Sequence, residues 1–357
     1  MINVTKTFLP PLKEYVQHLE KIWSTSWITN NGPLVNELEK KLKDYLNVSQ
    51  IQYVANGTIA LQVALKTLNI RGQVITTPFS YVATTTSVLW EQCTPVFVDI
   101  EDKNFCIDAD KIEAAITPKT QAILAVHVYG YPCDVEKIDY LAKKYNLRVI
   151  YDAAHSFGVK VNGVPLVNYG DISTVSFHAT KLFHTAEGGA IIAQNKEIAD
   201  AVRLHMSFGH IGDDYYSIGI NGKNSELHAA MGLSVFPYID AQIKSRRKIS
   251  QLYDENLRNI NIFIPSKVDG LDYNYSYYPV VFESEQQLLK VKEYLQNKGI
   301  NCRRYFFPPL NRLPYVNGAS CPIAEDISSR VLCLPLYYDM TPDIVDKIIG
   351  CVRAALR

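Results

Sequence analysis

Neither sign of charge is in excess in this chain: 36 lysines and arginines face 36 aspartates and glutamates, for a formal net charge of zero. A balanced chain has no general attraction for nucleic acid or an anionic membrane, so an anionic ligand must be met by a local site. No apolar run is long enough to cross a bilayer. The first residues, Met1-Ile2-Asn3-Val4-Thr5-Lys6, lack the apolar core of a signal peptide. No CxxC pair occurs among the seven cysteines (Cys93, Cys106, Cys133, Cys302, Cys321, Cys333 and Cys351), and their number is odd. That argues against a disulfide framework or a zinc knuckle and predicts a reducing cytoplasm. Internal repeats and low-complexity segments are also absent. What remains is the composition of a soluble globular protein, and 357 residues suffice for one large domain plus a smaller one.

Apolar, β-branched runs recur with helical patterns between them. Val74–Thr77, Val96–Val98, Ile123–Val128, Val149–Tyr151, Thr174–Phe177 and Ala190–Ala193 read as buried strands, apolar on both faces as in a mainly parallel sheet covered by helices. Helical spacing runs from Thr58 to Leu68 and from Asp134 to Tyr145, with Asp134 placed to cap. The alternation from about residue 50 to 195 predicts a three-layer α/β domain. From about Phe236 the texture changes. A charged helix (Asp240–Leu257), a strand (Tyr277–Phe282) and a second helix (Glu285–Lys298) come first. An irregular Arg303–Pro309 segment and a last helix opened by Thr341-Pro342-Asp343, a good cap followed by proline at the first helical position, follow. This reads as a smaller α+β domain, with the division at 1–236 and 237–357.

Two residues carry the most chemistry. Lys181 lies just past the strand Thr174–Phe177, and Asp152 just past Val149–Tyr151, where open α/β sheets gather their functional residues. A lysine amine forms a Schiff base with an aldehyde. An aspartate keeps the pyridinium nitrogen of pyridoxal 5'-phosphate (PLP) protonated, so that the ring accepts electrons. Small Ala153-Ala154 leave room for a flat ring, and His155 is within reach of its phenolate. Asn56-Gly57-Thr58 opens a helix whose N-terminal N–H groups favour a phosphate. Tyr81 can stack on a pyridine ring. Each residue also has an ordinary reading: a surface lysine, a turn aspartate, a half-buried histidine, a capped helix start, a core tyrosine. His127, His155, His178 and His184 match no usual metal spacing, so no metal is expected. Lys244, Arg246, Arg247 and Lys248 read as a solvated helix face, or as help for a diphosphate.

Taken together, the segments resemble the PLP-dependent nucleotide-sugar aminotransferases of the DegT/DnrJ/StrS type, with the aspartate aminotransferase fold. The resemblance runs through Trp27–Pro33, Asn56-Gly57-Thr58, Asp152–His155 and Ser176-Phe177-His178. It continues through Lys181, Glu187-Gly188-Gly189, Gly219–Asn221, Glu226–Ala230 and Cys333–Leu336. It implies that Lys181 is the Schiff-base lysine and proton carrier, and that Asp152 binds the ring nitrogen. It places His155 near the cofactor hydroxyl, Gly57, Thr58 and Ser176 on the phosphate, and Tyr81 on the ring. It implies substrate contacts from Thr29, Asn31, His178 and His184. Asn221 would reach the phosphate of the other subunit, so that a homodimer shares its active sites. Three positions depart from the usual pattern: Ala186 where glycine is usual, Lys223 where arginine is frequent, and Tyr151 where an acidic residue is usual.

The function implied is transfer of an amino group from L-glutamate to a nucleotide-diphosphate ketosugar. The expected acceptor is C4 of a dTDP-4-keto-6-deoxyhexose, for surface glycans such as the lipopolysaccharide O-antigen. Amination at C3, or of a UDP-4-keto sugar, is the rival within enzymes. A non-catalytic PLP-binding regulator is the rival outside them, and the intact Lys181–Asp152 pair speaks against it.

Overall fold

Short β-branched runs that are apolar on both faces are buried only when helices cover both sides of a sheet. The computed structural model, which describes residues 1–265 and 268–357, places them in one seven-stranded sheet. Its strands are β1 (Ile51–Val54), β2 (Gln73–Thr76), β3 (Thr94–Phe97), β4 (Thr120–Val126), β5 (Arg148–Asp152), β6 (Ile172–Ser176) and β7 (Gly189–Ala193), in the order β1-β7-β6-β5-β4-β2-β3. The neighbours from β6 to β3 are parallel, and β7 is antiparallel to both β6 and β1. The mainly parallel α/β architecture expected from the sequence is therefore present. Strand β1 was not anticipated: four residues interrupted by Gln52 carry little pattern of their own.

Alternation along each strand distributes the core. Ile191 and Ile150 share a cluster with Leu61, Val63 and Val202, which lie on α3 (Gly57–Thr67) and α7 (Lys196–His205). On the other face, Ala190 and Ile192 join Leu38 and Leu42 of α2 (Pro33–Leu46) and Ala229 and Leu233 of α8 (Glu226–Val235). Helix α6 (Val135–Tyr145) is capped as expected, Asp134 accepting from the Lys137 N–H at 2.9 Å.

The C-terminal part is built on an antiparallel pair, β8 (Tyr278–Val281) and β9 (Val331–Leu334), packed with α10 (Glu285–Asn297) and α12 (Pro342–Leu356). Helix α9 (Ile239–Leu257) spans both parts. Ile239 joins the cluster around Leu38, whereas Ile249, Tyr253 and Leu257 join the C-terminal cluster. Two expectations are corrected here. Thr341 has the extended backbone of an N-cap, but its side chain makes no capping bond, and Pro342 opens the helix alone. Arg246 is not on a solvated face: it is 3% exposed and donates to the Ser276 carbonyl at 3.2 Å, while Lys244, Arg247 and Lys248 remain exposed. Burial pushes the Arg246 guanidinium down to about 10.

The segment before α2 is clamped from a distance. Glu226, in the first turn of α8, is buried and accepts from the Leu34 and Val35 N–H groups at 2.7 and 3.0 Å. It thus supplies the cap that Gly32 cannot. Asn30 and Asn31 both adopt left-handed backbone, φ 63° and 55°, which asparagine tolerates. A Cβ on Gly32 would meet the Glu226 carboxyl carbon at 2.7 Å, so only glycine fits there. Glu226→Ala strands two buried donors, each costing about 1–3 kcal/mol. The variant is expected to melt well below the wild type at equal protein concentration, with Glu226→Gln between them. A melting curve for Glu226→Ala that overlays the wild type would show that the clamp carries no stability.

Candidate active site

The parallel strands bring their carboxyl ends to one edge of the sheet, and the residues singled out from the sequence gather there. Asp152 ends β5, Ser176 ends the adjacent β6, and the Asn56-Gly57 turn follows β1. Between β6 and β7 the chain makes a closed excursion. Phe177 N–H donates to the Gly188 carbonyl (2.8 Å), Ala179 to Ala186 (2.8 Å) and Lys181 to His178 (2.8 Å). This excursion carries Lys181 back over the sheet edge. Its return needs a left-handed residue at Ala186, φ 64°. Glycine adopts that conformation without penalty, so the glycine that the resemblance leads one to expect at this position would fit it.

Lys181 lines a small pocket with Ala154, His155, Ser176, Thr180 and Tyr277, and lies near enough to Asp152 for the two charges to influence each other. Burial pushes the Asp152 carboxyl up; the Thr84 hydroxyl, the Ala154 N–H and the Lys181 charge each oppose this. Its Oδ2 accepts from Thr84 Oγ1 at 2.8 Å and its Oδ1 from the Ala154 N–H at 3.1 Å. Burial lowers the Lys181 amine, against the pull of Asp152, and so favours the neutral nucleophile. Lys181 Nζ donates to Tyr277 Oη at 3.2 Å.

His155 is buried. Its Nδ1 accepts from the Tyr129 N–H at 3.1 Å, so in the neutral ring the proton lies on Nε2. Burial and the Lys181 charge hold the ring neutral, well below the ordinary histidine range. Phe306 stacks on it at 5.6 Å and Tyr277 meets it edge-on at 4.9 Å. Gly57 packs on Ser176: a Cβ there would lie 3.1 Å from the serine Cβ. Asn56 caps α3 through the Ile59 N–H at 2.9 Å. Gly57 and Thr58 thereby fall in the first turn, whose N–H groups a helix cannot satisfy internally. Tyr81 is 60% exposed and stands at the N-cap of α4 (Val82–Trp90), near enough to Lys181 to influence its charge. It is not a core residue.

Other expected residues fall elsewhere. His184 is 1% exposed and both ring nitrogens are engaged. Nδ1 accepts from the Ala186 N–H at 3.2 Å, and Nε2 lies 2.7 Å from the Phe8 carbonyl. It fastens the N-terminal segment and has no nitrogen left for a substrate. His178 is exposed, with Nδ1 2.8 Å from the Thr180 hydroxyl and Nε2 3.6 Å from Glu187. Thr29 is exposed and Asn31 half-buried in the clamped N-terminal loop. Asn221 is exposed, in a segment tied to the chain's own β1 by the Ala55 N–H on the Gly222 carbonyl at 2.8 Å. Tyr277 escaped sequence reading. It looks like any strand tyrosine, and only the packing of the 273–278 segment against His155 and Phe157 brings it to the lysine. Asn274 Nδ2 secures that packing on both carbonyls at 2.9 and 3.0 Å.

The model of the DegT/DnrJ/EryC1/StrS aminotransferase family matches residues 12–353. The dTDP-4-amino-4,6-dideoxy-D-glucose transaminase of Shigella dysenteriae is 44% identical, over 99% of this chain and 98% of its own length. The transaminase of the same name from Escherichia coli is 42% identical, over 97% and 96%. Among solved structures, DesI in the presence of its TDP-sugar product superposes with a TM-score of 0.95 at 30% identity. That match covers 100% of this chain and 93% of the other.

The raised carboxyl of Asp152 links stability to pH. In the folded chain it keeps a proton to a higher pH than in the unfolded chain. Stability is therefore lost as pH rises from the ordinary aspartate range through the raised folded value, and levels off above it. Asp152→Asn carries no such charge. In PLP-free protein its melting temperature is expected to gain on the wild type between pH 4 and pH 8. A difference that does not change with pH would show that the buried carboxylate is not its origin.

Proposed function

The chain belongs to the DegT/DnrJ/EryC1/StrS aminotransferase family, and we propose that it is a PLP-dependent transaminase acting on a nucleotide-linked ketosugar. The acceptor is C4 of a dTDP-4-keto-6-deoxyhexose, the donor is glutamate, and the product is a 4-amino-4,6-dideoxy sugar nucleotide. The electrostatic coupling of Lys181 and Asp152 at the carboxyl edge of the sheet carries the reaction class. The sugar rests on the names of relatives 44% and 42% identical over nearly the whole chain. Those names also specify the D-gluco configuration.

The residues present fit PLP. Among the described residues the buried Asp152 carboxylate forms no salt bridge, and a protonated ring nitrogen would give it a cationic partner. The Gly57–Ser176 contact leaves a glycine-lined helix start for a phosphate, with the Thr58 and Ser176 hydroxyls beside it. Tyr81 offers an exposed ring for stacking. When bound, PLP supplies an aldehyde carbon and an electron sink. Lys181 would hold that group through its amine and, as a neutral amine, would carry a proton in the reaction. Tyr277 holds the amine nitrogen in place. His155 would offer Nε2–H to a phenolate oxygen without adding charge. The nucleotide supplies binding energy remote from the reacting carbon; Thr29, Asn31 and His178 remain candidates for contact with the substrate.

The working unit is a homodimer with shared sites. Trp23, Trp27 and Ile28 are exposed beside α8, as are Ile211, Tyr215, Tyr216 and Ile218 around the hairpin of His210–Ile211 and Asp214–Tyr215. So many exposed large apolar side chains favour a covering surface, and a second copy of the chain supplies one. Asn221 follows that hairpin and is free to reach across. All seven cysteines are free thiols, which supports a cytoplasmic setting. No helix among the described residues is long and apolar enough to cross a membrane.

The acceptor is tested with a panel of dTDP-, UDP- and GDP-ketosugars, glutamate and PLP, with NMR of the products. The expected outcome is turnover of the dTDP-4-keto-6-deoxy sugar with nitrogen at C4. A product aminated at C3, or turnover of non-nucleotide ketones only, would overturn the assignment. The shared site is tested by complementation. Lys181→Ala and Asn221→Asp chains are each expected to be weak alone, the second because it sets a negative charge against a phosphate. A mixed dimer has one site with both defects and one with neither, and recovers up to half the wild-type activity. Failure to recover despite proven subunit exchange would place Asn221 at its own chain's site.

A further inference from the structure

Asp152 does not stand alone on its strand end. Thr84 Oγ1 lies 2.8 Å from its Oδ2, and Ser80 Oγ lies 2.8 Å from Thr84 Oγ1. All three are buried, Ser80 and Thr84 at 2% and 0% exposure. The direction of this chain follows from donor inventory. An ionised carboxylate only accepts, so Thr84 spends its single proton on Asp152, and Ser80 must then donate to Thr84. Chains of hydrogen bonds aligned this way strengthen one another, and do so most where water is excluded.

Local structure fixes the chain in place. Tyr81 is the extended N-cap of α4, φ −69° and ψ 146°, and the Thr84 N–H closes on its carbonyl at 3.1 Å. Ser80 and Thr84 therefore sit one turn apart, on either side of Tyr81. Thr84 also lies in the first turn of a nine-residue helix, whose positive end favours an anion. Lys181 and Tyr277 are the titratable groups that face Asp152 from the β6–β7 excursion and from the 273–278 segment. Lys181 adds a favourable charge from one side, while the hydroxyl chain supplies fixed dipoles from the other.

We propose that Thr84, polarised by Ser80, is a positioning residue that keeps Asp152 ionised and aims its free lone pairs at the ring nitrogen of the cofactor. The proposal rests on the PLP reading above. It assigns α4 two tasks: its N-cap presents Tyr81 to the ring face, and its first turn sets the charge opposite the ring nitrogen. Ring stacking and ring electronics then depend on one five-residue stretch.

The test begins without the cofactor. In PLP-free protein labelled with ¹³C-aspartate, the Asp152 carboxyl resonance is assigned by its loss in Asp152→Asn and titrated in three variants. Thr84→Val keeps the shape and removes the donor, and the Asp152 pKa is expected to rise by about 1–2 pH units. Ser80→Ala is expected to give a smaller rise, and Thr84→Ser to titrate like the wild type. With PLP added, Thr84→Val is expected to slow the single-turnover half-reaction with glutamate by about 10–100-fold at neutral pH, following the lost charge-assisted hydrogen bond. Half-saturation by glutamate should not change, and the acid limb of the rate profile should move to higher pH. Thr84→Ser is expected to restore both. An Asp152 that titrates as in the wild type in both Thr84→Val and Ser80→Ala would overturn the relay, as would a Thr84→Ser variant as defective as Thr84→Val. Failure of the wild type to take up PLP would instead overturn the cofactor reading and the aiming role with it. Normal uptake with an unshifted Asp152 would overturn the relay alone.

Discussion

An aspartate and a lysine, each pushed by burial toward its neutral form, oppose one another at the carboxyl edge of a parallel sheet. Desolvating a charge is expensive unless partners replace the lost water. The surroundings of the pair are therefore organised around supplying them. Asp152 has a hydroxyl and a backbone N–H, and Lys181 has a phenol oxygen. What is left uncompensated on each is the capacity to meet a further group. A buried carboxylate of this kind can meet a cation, and a neutral amine can meet an electrophile. A stable fold would neutralise both completely; this one stops short, as functional sites do.

Holding such a pair requires loops that do not move, and a recurring device supplies rigidity. A buried polar side chain from one segment satisfies backbone groups of another, distant in sequence. Asn224 donates to the Tyr53 hydroxyl and the Glu187 carbonyl, both at 3.0 Å, pinning the end of the lysine excursion to β1. Asn274 pins the segment that carries Tyr277, and Glu226 pins the loop before α2. His184 fastens the N-terminal segment beneath the lysine excursion. Each connection is worth more where water is excluded, and each leaves an unpaired group behind if cut. They tie four segments, among them the excursion that carries Lys181 and the segment that carries Tyr277, into a framework that resists displacement.

Much of this was legible in one dimension. Runs such as Val149–Tyr151 and Ala190–Ala193 announce buried strands because their periodicity requires burial on both sides. Lys181 and Asp152 were identifiable because strand-end positions and their flanking small residues are local properties. Where reading failed, the cause was a partner far away in sequence. Arg246 sits among exposed basic neighbours on α9 and looks solvated, yet its turn of the helix faces the Ser276 carbonyl. His184, three residues from the lysine, looks like a substrate contact, yet Phe8 claims one of its nitrogens. Tyr277 and Thr84 carry no local mark at all.

By itself, then, the sequence determined the layered α/β architecture, the strand ends on which chemistry can sit, and the lysine and aspartate that stand beside them. These depend on hydrophobic period and on residue type, which are written locally. Tertiary structure alone decided which side chains face the pair, which nitrogen of His155 carries its proton, and which histidine is structural. It also decided how strongly Asp152 and Lys181 are driven from their ordinary ionisation. Those properties are set by desolvation and by hydrogen bonds between residues up to 176 positions apart. Such energies exist only once the sheet order has brought β5, β6 and their loops to a common edge.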